Sequence, residues 1–297
     1  MTQRIPNLFL VGAMRSGTTS LHEALASHRS IFMSDVKEPA HFTDPAELAT
    51  DSRFASAAGF AGDRAKYLEL FASAGDAQYA GESSTHYTKA PRINGVAERV
   101  FEASPGARIL YLVRDPIERT LSHYRFAVRM KYERRTIREA VRDPFYSAVS
   151  DYAMQLEPYL DRFGRDQIWI GTLEEMSADA ESTLGDLYTW LGVDPDGGDL
   201  AYRQRNAVSS DLVRARGPEL LHRAGRSDGY QRLARAVLPA GVRRTVRRVL
   251  NRSVEAEEVR DDSVIEYLRT VQAPFVERFE AMTGREFGAW TTTRPVT

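Results

Sequence analysis

Eight residues near the start of the chain, Gly12-Ala-Met-Arg-Ser-Gly-Thr-Thr19, have the types and spacing that hold an oxyanion. They follow an apolar run and lead into a helix-compatible one, so the turn joins a strand to a helix N-terminus. Glycines at 12 and 17 let the backbone turn its N–H groups inward, and the helix start adds partial positive charge. Thr18 and Thr19 add hydroxyl donors. A P-loop nucleotide hydrolase carries lysine where Thr18 stands, and its absence argues against ATP hydrolysis. Arg15 lies inside the loop and supplies a cation instead, as a rigid fork of donors for phosphate or sulfate oxygens. A glycine turn with no ligand is the plain alternative. A second anchor comes from Tyr111-Leu-Val-Arg-Asp-Pro116, which sets Arg114 just past a strand end, where open α/β sheets bind ligands. Ser122 lies two turns into the next helix. Alone, Arg114 reads equally well as a surface arginine paired with Asp115; beside the first loop it becomes a second anion anchor.

The elements that must position these groups follow from periodicity. Apolar runs predict strands over Asn7–Gly12, Ser30–Met33, Gln78–Glu82, Arg108–Val113 and Gln167–Gly171. Helical spacing predicts helices over Gly17–Ser27 and Arg64–Phe71, from Pro91 to Ser104, from Pro116 past Val128, over Tyr146–Phe163, and through Leu184 to a stop at Gly192. Lys37–Asp44, with a proline and turn formers, is loop. Strands alternating with helices imply an α/β fold, a central parallel sheet flanked by helices on both faces, P-loop NTPase-like. Strand character is lost past Asp199, so residues 200–297 read as a helical and loop extension of a single domain, 1–297, whose core is 1–199. Within the extension, Arg243, Arg244, Arg247 and Arg248 interleave with Val242, Val246, Val249 and Leu250 as a basic amphipathic helix before the acidic Glu255–Asp262. A solvated face paired with those carboxylates is the simple reading, and an acidic acceptor or carrier surface the sharper one.

Composition narrows the classes. With 297 residues and 42% hydrophobic content the chain can bury a large core. Its 40 basic and 41 acidic side chains give a net charge of −1, so nothing draws it globally to nucleic acid or anionic membrane. Cysteine is absent, which excludes disulfides and thiolate metal sites. Leu8–Val11 is too short for a signal-peptide core, and no run approaches the roughly 18 apolar residues of a membrane span. A soluble, cytoplasmic protein without a transmembrane segment is expected.

Three stretches together resemble the 3′-phosphoadenosine 5′-phosphosulfate-dependent sulfotransferases, especially their bacterial and glycosaminoglycan-type branch. Gly12–Leu21 is similar to the family's 5′-phosphosulfate loop, which assigns donor contacts to Arg15, Ser16, Gly17, Thr18 and Thr19. Leu112–Tyr124 is similar to its 3′-phosphate motif, with Arg114 and Ser122 at the two contact positions. Lys37-Glu-Pro-Ala-His-Phe42 resembles the segment that carries the family's catalytic carboxylate. Weaker likeness runs through Tyr152–Phe163, Ile168–Met176 and Thr283–Trp290.

The resemblance implies in-line sulfuryl transfer, with Arg15 and the loop stabilising charge on the leaving phosphate and a base near the sulfur. Glu38 is the first candidate for that base. His86, just after a strand in Glu82-Ser-Ser-Thr-His-Tyr87, is its rival, because aryl-acceptor relatives use a histidine. Lys37 is a candidate substrate or sulfate contact, Arg205-Asn206 a further substrate or nucleotide contact, and His41 reads as a third base candidate or as packing. Ser83 stands where glycosaminoglycan relatives carry lysine, which counts against such an acceptor. No metal is implied. The acceptor is a small molecule or carrier-tethered group, with the extension covering its side of the site. A nucleotide kinase and a non-catalytic nucleotide-binding protein on the same fold are the rival functions.

Overall fold

Five apolar runs of three to six residues become strands: β1 (Leu8–Gly12), β2 (Ile31–Met33), β3 (Tyr79–Ser83), β4 (Arg108–Val113) and β5 (Ile168–Thr172). The computed structural model describes residues 4–51, 54, 57, 59–198, 212–215, 251–254 and 260–293. The strands form one parallel sheet in the order β2-β3-β1-β4-β5, with Leu8 opposite both Gly81 and Arg108, and Ile109 opposite Ile168. A parallel neighbour needs a crossover, and the helical runs between the strands supply it.

Those helices are α1 (Thr18–Ser27), α2 (Pro45–Ala49), α3 (Arg64–Glu69), α4 (Val96–Ala103), α5 (Pro116–Arg129), α6 (Ile137–Ala140), α7 (Pro144–Ala148), α8 (Tyr152–Leu160), α9 (Leu173–Ala178), α10 (Ala180–Leu191) and α11 (Asp262–Thr283). Alternation along the strands sorts their side chains between two cores. Phe9, Val11, Ile109, Tyr111 and Val113 pack with Val100 of α4, Leu156 and Tyr159 of α8 and Phe279 of α11. Leu8, Leu10, Leu110 and Leu112 pack with Leu21 and Leu25 of α1 and Leu184, Leu187 and Leu191 of α10. Burial on both faces explains why β1 and β4 are continuously apolar. Val264, Leu268, Gln272, Val276 and Phe279 form the buried stripe of α11 at helical spacing. Among the described residues, no helix is long and apolar enough to cross a membrane.

The structure departs from the sequence expectation at three places. Pro91 does not begin a helix: Arg92 and Ile93 fold back onto the Lys89 carbonyl, and α4 starts only after Gly95, whose φ of 67° suits glycine. The helix expected over Tyr146–Phe163 is two, because Asp151 turns its carboxylate onto the Met154 N–H at 3.2 Å and begins α8 anew. The region past 199 also keeps some strand. Leu212–Ala215 (β6) and Asn251–Val254 (β7) pair as an antiparallel ribbon, with β6 beside α5. The arginine-rich segment at 243–248 lies outside the described residues; of the acidic stretch, Asp261 caps α11 and pairs with Arg138.

Candidate active site

The sheet brings four loops to one end, those that leave β1, β2, β3 and β4 at their C-terminal ends. β1 lies between β3 and β4, so the chain leaves it toward one side and later returns on the other, the arrangement that opens a crevice above a parallel sheet. Gly12 is required where the crevice begins: a Cβ there would sit 2.2 Å from Thr88 Oγ1, which bonds the Val11 carbonyl at 2.9 Å. Gly17, at φ 91°, turns the loop into α1 and leaves its N-terminus without a side-chain cap. The first N–H groups of α1 are thus unclaimed by a cap and lie beside Ser16, whose fully buried hydroxyl has no hydrogen-bond partner among the described residues. An uncapped helix start and an orphaned hydroxyl suit an anion.

Arg15 joins the two anchors that the sequence separates by a hundred residues. Its Nε donates to Ser122 Oγ at 3.1 Å, and its guanidinium lies over the Phe126 ring at 5.1 Å. Burial first, then the charges of Arg114 and Arg129, lower the Arg15 pKa to about 10, so three cations share this end of the sheet. Arg114 does not pair with Asp115. That carboxylate caps α5 through Ile117 N (2.9 Å) and Glu118 N (3.2 Å) and accepts from Thr292 Oγ1, while Arg114 reaches Glu118 at 3.5 Å and fixes its own carbonyl on Tyr152 OH at 2.6 Å. Glu118 is shared with Arg260.

The loop after β2 supplies the next groups. Lys37 Nζ donates to Thr19 Oγ1 at 3.0 Å, so a lysine from another loop reaches the start of α1 where position 18 has none. Glu38 adopts φ 57°, unusual for a non-glycine residue, and its N–H bonds the Ser83 carbonyl at 2.9 Å. Its carboxylate accepts from Thr85 N (2.8 Å), Thr85 Oγ1 (3.2 Å) and His86 Nδ1 (2.9 Å). Burial alone would raise the Glu38 pKa, but the His86 bond and the charges of His86, Lys89 and Lys37 hold it at about 2. His86 is pushed the other way: burial first, then Lys89, lowers its pKa against the pull of Glu38. One sequence candidate falls elsewhere. His41 stacks on Tyr67 at 4.0 Å and bonds the Phe60 carbonyl, which is a packing role; Arg205 and Asn206 lie outside the described residues.

Sequence reading missed Lys89 and Glu82. Lys89 is 3% exposed with its ammonium over the Phe54 ring at 5.3 Å, and burial lowers its pKa to about 8 against the opposing charges of Glu38 and Asp51. Nothing in its spacing marks it, since it follows a 3₁₀ turn at Thr85–Thr88. Arg129 did leave a signal: Ser122, Phe126 and Arg129 lie at i, i+4 and i+7, on one face of α5. Glu82 is fully buried and accepts from Tyr67 OH (2.7 Å), Tyr87 OH (2.6 Å) and Ser84 Oγ (2.8 Å), while that same Ser84 hydroxyl accepts from Ala40 N at 3.0 Å. The network ties the Glu38 loop to β3. Burial raises the Glu82 pKa from 4.5 to about 7 despite those hydroxyls. Folding therefore favours its protonated form, and the stability it contributes is complete below pH 4.5 and is lost as pH rises through about 7. Thermal unfolding followed from about pH 5 to about pH 8 should show a decline in the native chain that Glu82→Gln flattens; parallel curves would contradict it.

Known proteins match this architecture. The model of the sulfotransferase family matches residues 6–196. A stretch of 124 residues is 32% identical to the membrane-associated sulfotransferase kil1 of Dictyostelium discoideum, covering 42% of this chain but only 23% of that protein. The crystal structure of a sulfotransferase from Alicyclobacillus acidocaldarius superposes with a TM-score of 0.68 at 26% identity, over 96% of this chain and 98% of the other.

Proposed function

The chain belongs to the sulfotransferase family, and from that premise we propose that it moves a sulfuryl group from 3′-phosphoadenosine 5′-phosphosulfate to the hydroxyl or amine of an acceptor. The observation that carries the reading is the Arg15–Ser122 hydrogen bond, which joins the glycine turn to the helix that follows Arg114. A donor with phosphate at both its 5′ and 3′ ends needs two such anchors, and ATP needs only one. The residues fit that donor: the uncapped start of α1, the Ser16 hydroxyl and Lys37 at Thr19 suit the 5′-phosphosulfate, and Arg114 with Ser122 suits the 3′-phosphate.

Sulfuryl transfer asks for alignment and for stabilisation of charge on the leaving phosphate oxygen. Arg15, held by Ser122 and Phe126, is pre-set for that charge, and burial strengthens its effect. The acceptor proton leaves at the Glu38–His86 pair. The acceptor itself is a small molecule or carrier-tethered group. The reading is tested by whether the protein prefers adenosine 3′,5′-bisphosphate to ADP with magnesium.

A further inference from the structure

Arg114 is braced by a turn that follows α11, at Trp290–Thr292, beyond the stretch that the family model matches. The polar groups of this turn close on Asp115, the residue after Arg114. Five donors meet that buried carboxylate: Ile117 N and Glu118 N at the start of α5, and Thr291 N, Thr292 N (3.4 Å) and Thr292 Oγ1 (3.1 Å) from the turn. Asp115 N–H donates in its turn to Glu174, at the start of α9, at 3.1 Å. The apolar part of the turn reaches the other flank. Trp290 is buried, stacks on Phe287 at 4.3 Å and meets the Tyr152 ring edge-on at 6.1 Å. Tyr152 OH donates to the Arg114 carbonyl at 2.6 Å. The peptide unit between Arg114 and Asp115 is thus pinned at both its carbonyl and its N–H, while the Arg114 side chain stays 22% exposed.

A buried carboxylate beside an arginine is its ordinary partner, and an arginine so paired is a poorer site for another anion. Asp115 makes no ion pair among the described residues and is satisfied by hydrogen bonds instead. We propose that the turn at Trp290–Thr292 positions Arg114 for a nucleotide 3′-phosphate, Thr292 through Asp115 and Trp290 through Tyr152. This rests on the sulfuryl-transfer reading. Thr292 and Tyr152 are positioning residues, since each acts through the Arg114–Asp115 pair. Without the Thr292 hydroxyl, Asp115 Oδ1 is short of a donor next to a cation, so the carboxylate turns toward Arg114 and competes with phosphate for it. The loss falls on the 3′ end of the nucleotide, because the glycine turn and Lys37 hold the other end.

The test is titration calorimetry of the full chain with adenosine 3′,5′-bisphosphate and with adenosine 5′-phosphate, which lacks the 3′ group. Thr292→Val keeps the shape of the side chain and removes the hydroxyl. It should weaken the bisphosphate by about tenfold, the worth of one hydrogen bond to a charged group, and leave adenosine 5′-phosphate within about twofold. Thr292→Ser should bring the bisphosphate back to within about twofold of the native affinity. In an Arg114→Ala background Thr292→Val should cost nothing further, because its effect passes through that arginine. Tyr152→Phe keeps the ring and removes the bond to the Arg114 carbonyl; it should show the same selective loss, and it decides the matter if Thr292→Val does not fold. Equal losses for the two nucleotides, a loss that persists in full without Arg114, or no loss in either variant would overturn the proposal. Failure of the sulfuryl-transfer reading looks different: the native protein would bind the two nucleotides alike.

Discussion

An Arg15→Ala variant should lose about 10²–10³-fold in turnover of the sulfuryl donor while keeping its fold, the range found when one pre-organised donor to a developing oxyanion is removed. The expectation follows from where the guanidinium sits. Arg15 is half-buried, bound through Nε to Ser122 and laid on the Phe126 ring, so its direction is set before any ligand arrives. Pre-organisation matters because a group that need not reorient as charge develops gives its full stabilisation to the transition state. Arg15→Lys should recover only part of the loss, since an ammonium offers a point charge without the fork. The fold should tolerate both changes: the Arg114 and Arg129 charges near Arg15 act against it, and removing it relieves that crowding. Steady-state rates with thermal midpoints measured alongside decide the matter, and a loss below about fivefold with intact midpoints would contradict it.

The second large effect concerns which nucleotide is chosen. Arg114→Ala should weaken adenosine 3′,5′-bisphosphate by about 10²-fold, the worth of a charge-assisted contact of about 1.5–3 kcal/mol, and leave the 3′-dephosphorylated analogue within about twofold. Arg114 is suited to this because its neighbour spares it. Asp115 is committed to capping α5 and to Thr292, so among the described residues the ion pair of the strand-end arginine is the 3.5 Å contact with Glu118, itself shared with Arg260. A long ion pair of that kind is weak and easily exchanged for a phosphate. Titration calorimetry of both nucleotides against native and variant protein checks it; equal losses for the two would make Arg114 a structural residue.

Much of this was legible in the sequence, and the reasons are local. β4 matches its predicted span, and β1 begins one residue late, because continuous apolar runs bounded by glycine and polar residues have few other solutions. The glycine turn was visible as a turn, and the motif Leu112–Tyr124 placed Arg114 and Ser122 correctly on a strand end and a helix. What local pattern does not carry is strand order. Only when β3 and β4 flank β1 do Arg15 and Ser122 meet, Lys37 reach Thr19, and Glu38 lie against His86. Lys89 and Glu82 stayed hidden for the same reason, since each matters through residues brought from another loop. The split between α7 and α8 failed on a finer point: Asp151 both continues the helical spacing and caps a new helix, and the cap prevailed.

We propose that the joined anchors hold a nucleotide phosphorylated at both ends for sulfuryl transfer. Titration of the native protein with adenosine 3′,5′-bisphosphate, without metal, and with ADP plus magnesium tests it most directly. The expected result is a preference for the bisphosphate of about 10²-fold or more, indifferent to magnesium and lost on Arg114→Ala. Tighter, magnesium-dependent binding of ADP would contradict it and make the site that of a kinase.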